Sequence, residues 1–271
     1  MSEDIPHGDI TSDSLGIRNQ FGSAQLIAKE DLVLSGSILF QESIKFHDSD
    51  AQIKWYFNDG DTVLEKQCIA LIQCNLVQLL KAERVGINFL GHLSGIATKT
   101  RMFVKALGDS KTKILDTRKT TPLLRALEKQ AVVHGGGQNH RMNLSDMAML
   151  KENHLRLMNG NIELAVEKIR KVSPKVKIEV ETTNLAEVKA AVATKCDRIM
   201  LDNMDDETIQ QALELIPSNI ETEASGNMTI ERMSRLAHLG LDYISVGSIT
   251  HSAPCADMSL LFDWDDTNEA N

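Results

Sequence analysis

A chain of 271 residues exceeds one small module and suits a barrel-sized domain with a smaller companion, since single domains commonly run about 50–250 residues. Hydrophobic residues at 42% and charged residues at 25% are ordinary for a globular protein, but aromatics at 4% are scarce, so aliphatic side chains and eleven Met must fill the interior. The net charge of −9 argues against nucleic acid or an anionic membrane as a partner, because both call for a basic face.

The acidic start, Met1 to Asp9, has neither a basic nor an apolar region of the kind a secretory signal needs, and no apolar run reaches the ~18 residues that span a bilayer, so a cytoplasmic protein is expected. Cys68, Cys74, Cys196 and Cys255 show no CxxC or zinc spacing and read as reduced core thiols.

Along the chain, residues 23–28 and 32–34 predict strands, 38–46 a short helix, 51–57 a strand before the Asn58-Asp59-Gly60-Asp61 turn, and 68–73 another strand. From 76 to about 107 apolar residues recur at helical spacing, with Gly86, Gly91 and Gly95 either dividing the stretch or admitting a close neighbour. Beyond it, short β-rich runs at 113–115, 147–150, 176–180, 198–201, 219–222 and 243–246 alternate with amphipathic stretches at 162–172, 185–193, 206–216 and 229–239. The later period of about 20–25 residues is one βα unit, and with no repeated signature a parallel barrel is the simplest closure. The expected division is therefore an α/β domain over 1–107 with bridging helices from Leu76 to Leu107, then an α/β barrel over 108–271 whose end returns to the first domain.

Charge is unevenly placed. Residues 111–151 hold eight Lys/Arg against three acids, +5 within a chain of −9. Nearly every strand predicted beyond residue 107 is followed by polar or charged groups: Asp116 to Lys119, Lys151 to His154, Glu181, Asp202-Asn203, Glu223 to Gly226, and Gly247-Ser248. In a βα barrel those ends ring one mouth, where active sites lie. Ser225-Gly226-Asn227, expected to open a helix, and Gly247-Ser248 offer backbone N–H groups for a phosphate. Glu181 and Asp202 suit ribose hydroxyls or Mg2+, although Asp202 could instead cap a helix. Arg118, Lys119, His140, Arg141 and Lys151 make a cation density that calls for a substrate with several negative charges.

The blocks ILDTRKTTP (114–122), EKQAV (128–132), GGGQNHR (135–141) and LKENH (150–154) resemble quinolinate phosphoribosyltransferase. EDIPHGDIT (3–11), AER (82–84), GHLSGIAT (91–98), LDNM (201–204), EASGN (223–227), DYISVG (242–247) and THS (250–252) follow in that family's order, so the likeness covers the whole chain. It implies an N-terminal α/β sandwich, a C-terminal open α/β barrel, and conversion of quinolinate and phosphoribosyl pyrophosphate to nicotinate mononucleotide, pyrophosphate and CO2. Carried over, Arg118, His140, Arg141 and Lys151 grip the quinolinate carboxylates, with Arg84 reaching in from a second subunit of a homodimer or higher even oligomer. Lys119 and His251 face the diphosphate, Glu181 and Asp202 hold ribose and Mg2+ directly or through water, and Ser225, Gly226 and Gly247 hold the 5′-phosphate; Lys119, Lys151, Glu181 and Asp202 form the catalytic set. Asn143, Leu123 and Gln130 depart from the family's usual Gly, Gly and Tyr. The family's usual preceding helix, which would support the dimer, has no counterpart before residue 3. A paralogue of molybdate transport operons and a non-catalytic phosphate-binding barrel are the competing readings.

Overall fold

The computed structural model describes residues 1–16 and 20–263. In chain order the elements are α1 (Ile10–Leu15), β1 (Phe21–Ala28), β2 (Leu32–Val33), α2 (Ser37–Lys45), β3 (Gln52–Trp55), β4 (Thr62–Val63), β5 (Cys68–Asn75), α3 (Leu76–Ala106), β6 (Lys113–Leu115), α4 (Arg125–His134) and β7 (Met147–Leu150). They continue with α5 (Glu152–Leu157), α6 (Ile162–Val172), β8 (Lys177–Thr182), α7 (Leu185–Val192), β9 (Arg198–Asp202), α8 (Asp206–Leu215), β10 (Glu221–Ser225), α9 (Ile230–Leu236), β11 (Tyr243–Ser245), α10 (Ser248–His251) and β12 (Met258–Asp263). The chain divides into two compact units, one of Met1–Lys99, Val133–Gly136 and Ser252–Asn271, the other of Thr100–Val132 and Gly137–His251.

The first unit holds an antiparallel sheet of order β12-β1-β5-β3. Period-2 alternation sends Ala24, Leu26 and Ala28 of β1 and Ala70, Ile72 and Cys74 of β5 into one core with Phe40 and Ile44 of α2 and Leu79, Ala82 and Leu90 of α3. The helical stretch is not divided: α3 runs unbroken through Gly86, Gly91 and Gly95. These glycines admit neighbours instead. A Cβ at Gly95 would stand 1.8 Å from the Pro254 carbonyl oxygen, and the Gly91 carbonyl accepts from Ala256 N–H at 2.9 Å.

The second unit is a parallel sheet of order β6-β11-β10-β9-β8-β7. The expected closure is not found. Among the described residues β6 and β7 remain the sheet's two edges, so the barrel is open. Strands from β7 to β11 succeed one another in space, and crossovers of one hand then place the helices on one face. That face is aliphatic: Ile178, Val180, Ile199, Leu201, Ala224 and Ile244 are buried, and α7 packs on β8 and β9. The alternate residues, Glu179, Glu181, Arg198, Met200, Asp202, Glu223, Ser225 and Ser245, occupy the opposite face, which is mostly polar.

Two expectations need correction. Cys74 and Cys196 are buried, but Cys68 is half-buried and Cys255 exposed, so they are not all core thiols. Lys129, counted in the basic run, is 1% exposed and ion-paired with the fully buried Asp116, so it contributes to the core and not to a binding face. Among the described residues no helix is long and apolar enough to cross a membrane.

Candidate active site

Parallel strands deliver their C-terminal ends to one edge, and here those ends surround a cavity of about 750 Å3. Arg118 and Lys119 follow β6, Lys151 follows β7, Glu181 lies near the end of β8, Asp202 and Ser225 end β9 and β10, and Gly247 and His251 follow β11. With His140, Arg141 and Gly226 they all line this cavity. Arg84 does not. It is exposed on α3 in the first unit.

Lys151 leaves β7 where its N–H meets His154 Nδ1 at 3.1 Å, and its ammonium pairs with the Glu181 carboxylate. Arg141 is steadied by Nη1 donating to the Met147 carbonyl at 2.9 Å and by Nη2, 3.6 Å from Met149 Sδ. Burial first, and Arg118 next, pull the Arg141 pKa down, as expected of a cation held close to another cation. A bound polyanion would relieve that repulsion.

His140 borders the cavity; its Nδ1 is engaged by the backbone, while the buried Nε2 faces two carboxylates without making a hydrogen bond. Nδ1 accepts from Arg141 N–H at 2.7 Å, and Nε2 lies 3.1 Å from Glu179 and 3.5 Å from Glu223. Burial opposes a charged ring, but the two carboxylates outweigh it and lift the His140 pKa to about 9, while burial also raises Glu179. That shift favours a charged ring with protons on both nitrogens, yet a protonated Nδ1 cannot accept from the Arg141 N–H at 2.7 Å, so the ring that fits this contact is neutral, with its one proton on Nε2 beside Glu179. His140 thus borders the cavity while meeting the Arg141 backbone through Nδ1 and the two carboxylates across Nε2.

Asp202 does not cap a helix: Asp205 does, accepting from Thr208 N–H at 2.8 Å. Asp202 accepts from Asn203 Nδ2 at 2.8 Å and faces the cavity. Glu181 and Asp202 offer two carboxylates at its wall, and Mg2+ commonly takes one or two carboxylates with water and substrate phosphate, so the donor set fits that ion. Ser225-Gly226-Asn227 does not open a helix either; α9 starts at Ile230 behind the cap Thr229. The turn is special for another reason. Gly226 has φ +90°, and a Cβ there would lie 2.1 Å from Asn203 Oδ1. Gly247 is followed at once by the single turn of α10, and a Cβ on it would approach Lys119 Cδ at 3.2 Å.

Sequence reasoning did not single out Met149, Met200, Met228 and Ser245 as cavity residues, nor Glu179 and Arg198 behind them, and Glu223, named as a strand-end group, is buried behind the cavity and does not line it. The alternation in KIEVET, RIMLD and ETEAS carried the signal, since Glu179 shares a strand face with Glu181, Arg198 with Asp202, and Glu223 with Ser225.

Models of the quinolinate phosphoribosyl transferase N-terminal and C-terminal domains match residues 9–94 and 96–261. The chain is 39% identical over 258 residues to a probable nicotinate-nucleotide pyrophosphorylase (carboxylating) of Bacillus subtilis, covering 95% of this chain and 89% of that protein. It is 36% identical over 282 residues to quinolinate phosphoribosyltransferase (decarboxylating) 2a, mitochondrial, of Nicotiana tabacum, covering 97% and 80%. The crystal structure of NadC from Streptococcus pyogenes superposes with a TM-score of 0.92 at 41% identity, covering 97% of this chain and 94% of that one. The chain belongs to the quinolinate phosphoribosyl transferase family.

Proposed function

We infer that this protein transfers the phosphoribosyl group of phosphoribosyl pyrophosphate to quinolinate and decarboxylates the adduct, giving nicotinate mononucleotide, pyrophosphate and CO2 in NAD biosynthesis, within the cytoplasm. The observation that carries this reading is one cavity that gathers Arg118, Lys119, Arg141 and Lys151 together with Ser225, Gly226 and Gly247, within a chain of this family.

Arg118, Arg141 and Lys151 hold the two carboxylates of quinolinate, His140 acting through Arg141. Lys119 and His251 face the diphosphate, and the backbone at Gly226 and Gly247 with Ser225 holds the 5′-phosphate. As the anomeric C–O bond breaks, positive charge grows on the ribose, and the Glu181 and Asp202 carboxylates stabilise it while orienting the hydroxyls. Mg2+, held by Glu181 and Asp202 directly or through water, would neutralise charge on the leaving pyrophosphate. The pyridine nitrogen, positioned by its flanking carboxylate contacts, supplies the electron pair for the new C–N bond. That nitrogen is then cationic. The 2-carboxylate leaves as CO2, its bonding pair remains on the ring carbon beside the cationic nitrogen, and a proton from water completes the product.

Arg84 completes the site from a second subunit, in a homodimer or higher even oligomer with two composite sites per dimer. Purified protein incubated with quinolinate, phosphoribosyl pyrophosphate and Mg2+ should form nicotinate mononucleotide and pyrophosphate in equal amounts; the absence of both, with ligands bound, would support a non-catalytic barrel instead.

A further inference from the structure

Beneath the cavity lies a layer of charged side chains to which the reaction scheme gives no direct part. Glu179 on β8 and Glu223 on β10 are both 0% exposed, with Arg198 of β9 buried between their strands. Arg198 Nη1 donates to Glu223 at 2.9 Å, its Nε and Nη2 reach Glu221 at 3.1 and 2.9 Å, and its guanidinium stacks 4.1 Å from the Tyr243 ring centroid. Replacing buried ions with well-packed apolar residues is often neutral or stabilising, so stability alone is a poor reason for this layer.

One nitrogen of His140 and carboxylate oxygens of Glu179 and Glu223 are close enough together to suggest a metal site. The ring argues otherwise. A metal at Nε2 calls for Nδ1 to carry a proton and donate it outward, whereas here Nδ1 accepts from Arg141 N–H. Arg198 also already holds one of the two Glu223 oxygens. The consistent arrangement is a neutral ring with its proton on Nε2, 3.1 and 3.5 Å from the Glu179 and Glu223 carboxylates, and the Nδ1 lone pair fixed on the Arg141 backbone.

The same backbone is pinned from its other side. His140 N–H donates to Asp116 at 2.8 Å and its carbonyl accepts from Lys129 Nζ at 3.0 Å. Arg141 thus projects from a segment fixed at consecutive peptide units, and the His140 ring links that segment to Glu179 of β8 and Glu223 of β10. A side chain fixed this way loses less freedom on binding and delivers its charge to one place.

We propose that Glu179, Glu223 and Arg198 are positioning residues for recognition of the pyridine dicarboxylate: they hold the His140 ring in a single tautomer, and through Nδ1 hold Arg141 in register with the cavity. This rests on the assignment of Arg141 to the dicarboxylate side of the site. Glu179 faces His140 and not the turns at Gly226 and Gly247, so its loss acts on one substrate selectively.

The test compares Glu179→Leu, which cannot accept from Nε2, with Glu179→Gln, which keeps an acceptor of the same length. KM for quinolinate should rise on the order of ten- to a hundredfold in Glu179→Leu, the scale of a misplaced binding group, and Glu179→Gln should recover most of it. KM for phosphoribosyl pyrophosphate should stay within about twofold in both. Independently of turnover, 15N NMR of the imidazoles at one fixed pH should show His140 protonated at Nε2 and bare at Nδ1 in the unaltered protein, with the signal identified by its loss in His140→Gln. Glu179→Gln should preserve that tautomer. An unchanged quinolinate KM in folded Glu179→Leu, a parallel rise in both KM values, or a proton on Nδ1 in the unaltered protein would each overturn the proposal. If Glu179→Leu fails to fold, the NMR result and the Glu179→Gln kinetics still decide it. Failure of the functional reading is separate: the unaltered protein would then not turn over quinolinate, whatever the tautomer of His140.

Discussion

Gly226→Ala tests whether the turn after β10 is as constrained as its geometry requires. An L side chain in the left-handed region costs about 1–2 kcal/mol, and the φ of +90° at this position belongs to that region. The new Cβ would stand 2.1 Å from Asn203 Oδ1, 2.5 Å from its Cγ and 2.9 Å from its backbone nitrogen. The amide could swing away by giving up its 3.2 Å contact with Asn227 Nδ2, but the backbone nitrogen is tied to the Ser225 carbonyl at 2.9 Å and cannot follow cheaply. Relief of such overpacking typically costs about 1–3 kcal/mol, which brings the total to about 2–5 kcal/mol. The urea unfolding midpoint should fall accordingly with little change in slope, and binding of phosphoribosyl pyrophosphate should weaken because Ser225 and Asn203 move. Adding Asn203→Gly removes the side-chain clash and leaves the backbone one, so the double variant should be about 1 kcal/mol more stable than the sum of the single effects predicts. A Gly226→Ala protein within about 0.5 kcal/mol of the unaltered one, or strictly additive single effects, would refute this account of the turn.

Other outcomes follow from the same geometry. Lys151→Met should abolish turnover while changing stability by no more than about 1 kcal/mol, because the Lys151 side chain is 45% exposed and its pairing with Glu181 is partly solvated; kcat/KM and a thermal melt check both halves. Lys129→Met should instead cost about 3–5 kcal/mol, since it strips the partner from the buried Asp116. Burial already raises the Asp116 pKa, so the folded state of that variant binds a proton more readily than the unfolded chain, and its stability should fall as pH rises through the folded-state value; denaturant midpoints taken across the acidic to neutral range give the sign. Arg84→Ala and Lys151→Ala should each be inactive, but after subunit exchange about half the dimers are hybrids with one intact site, so roughly a quarter of sites should regain activity; confirmed exchange without recovery would return Arg84 to its own subunit or to no role.

Much of this was legible because periodicity reports on environment. Helix α6 stands where the apolar spacing of 162–172 placed it, and β6 and β7 lie at their expected bounds. Helix α4 was not among the predicted stretches; its Lys129 was counted in the basic run, yet Glu128 and Lys129 are buried, Glu128 accepting from Thr121 N–H and Lys129 pairing with Asp116. The glycines of α3 left a break and a close neighbour equally open, because a sequence does not reveal which segment will pack against them; for Gly91 and Gly95 the neighbour is the chain at Pro254 to Ala256. The cavity-lining groups were visible at the strand ends, since each strand supplies one. The layer behind them was not singled out, because pairing of His140 with Glu179 and Glu223 depends on which strands become neighbours. Leu123 shows a family departure acquiring a physical reading: it takes φ +67°, the region a glycine occupies without strain, whereas Asn143 keeps an ordinary φ and accepts from Ser145 N–H.

The central claim is that the cation cluster selects a pyridine with two carboxylates, and the most direct measurement is kcat/KM for quinolinate against nicotinate with saturating phosphoribosyl pyrophosphate and Mg2+. Nicotinate lacks the 2-carboxylate and would leave part of the Arg118, Arg141 and Lys151 charge unmatched, so it should be used about a thousandfold less efficiently or worse. Comparable values for the two acids would contradict the account.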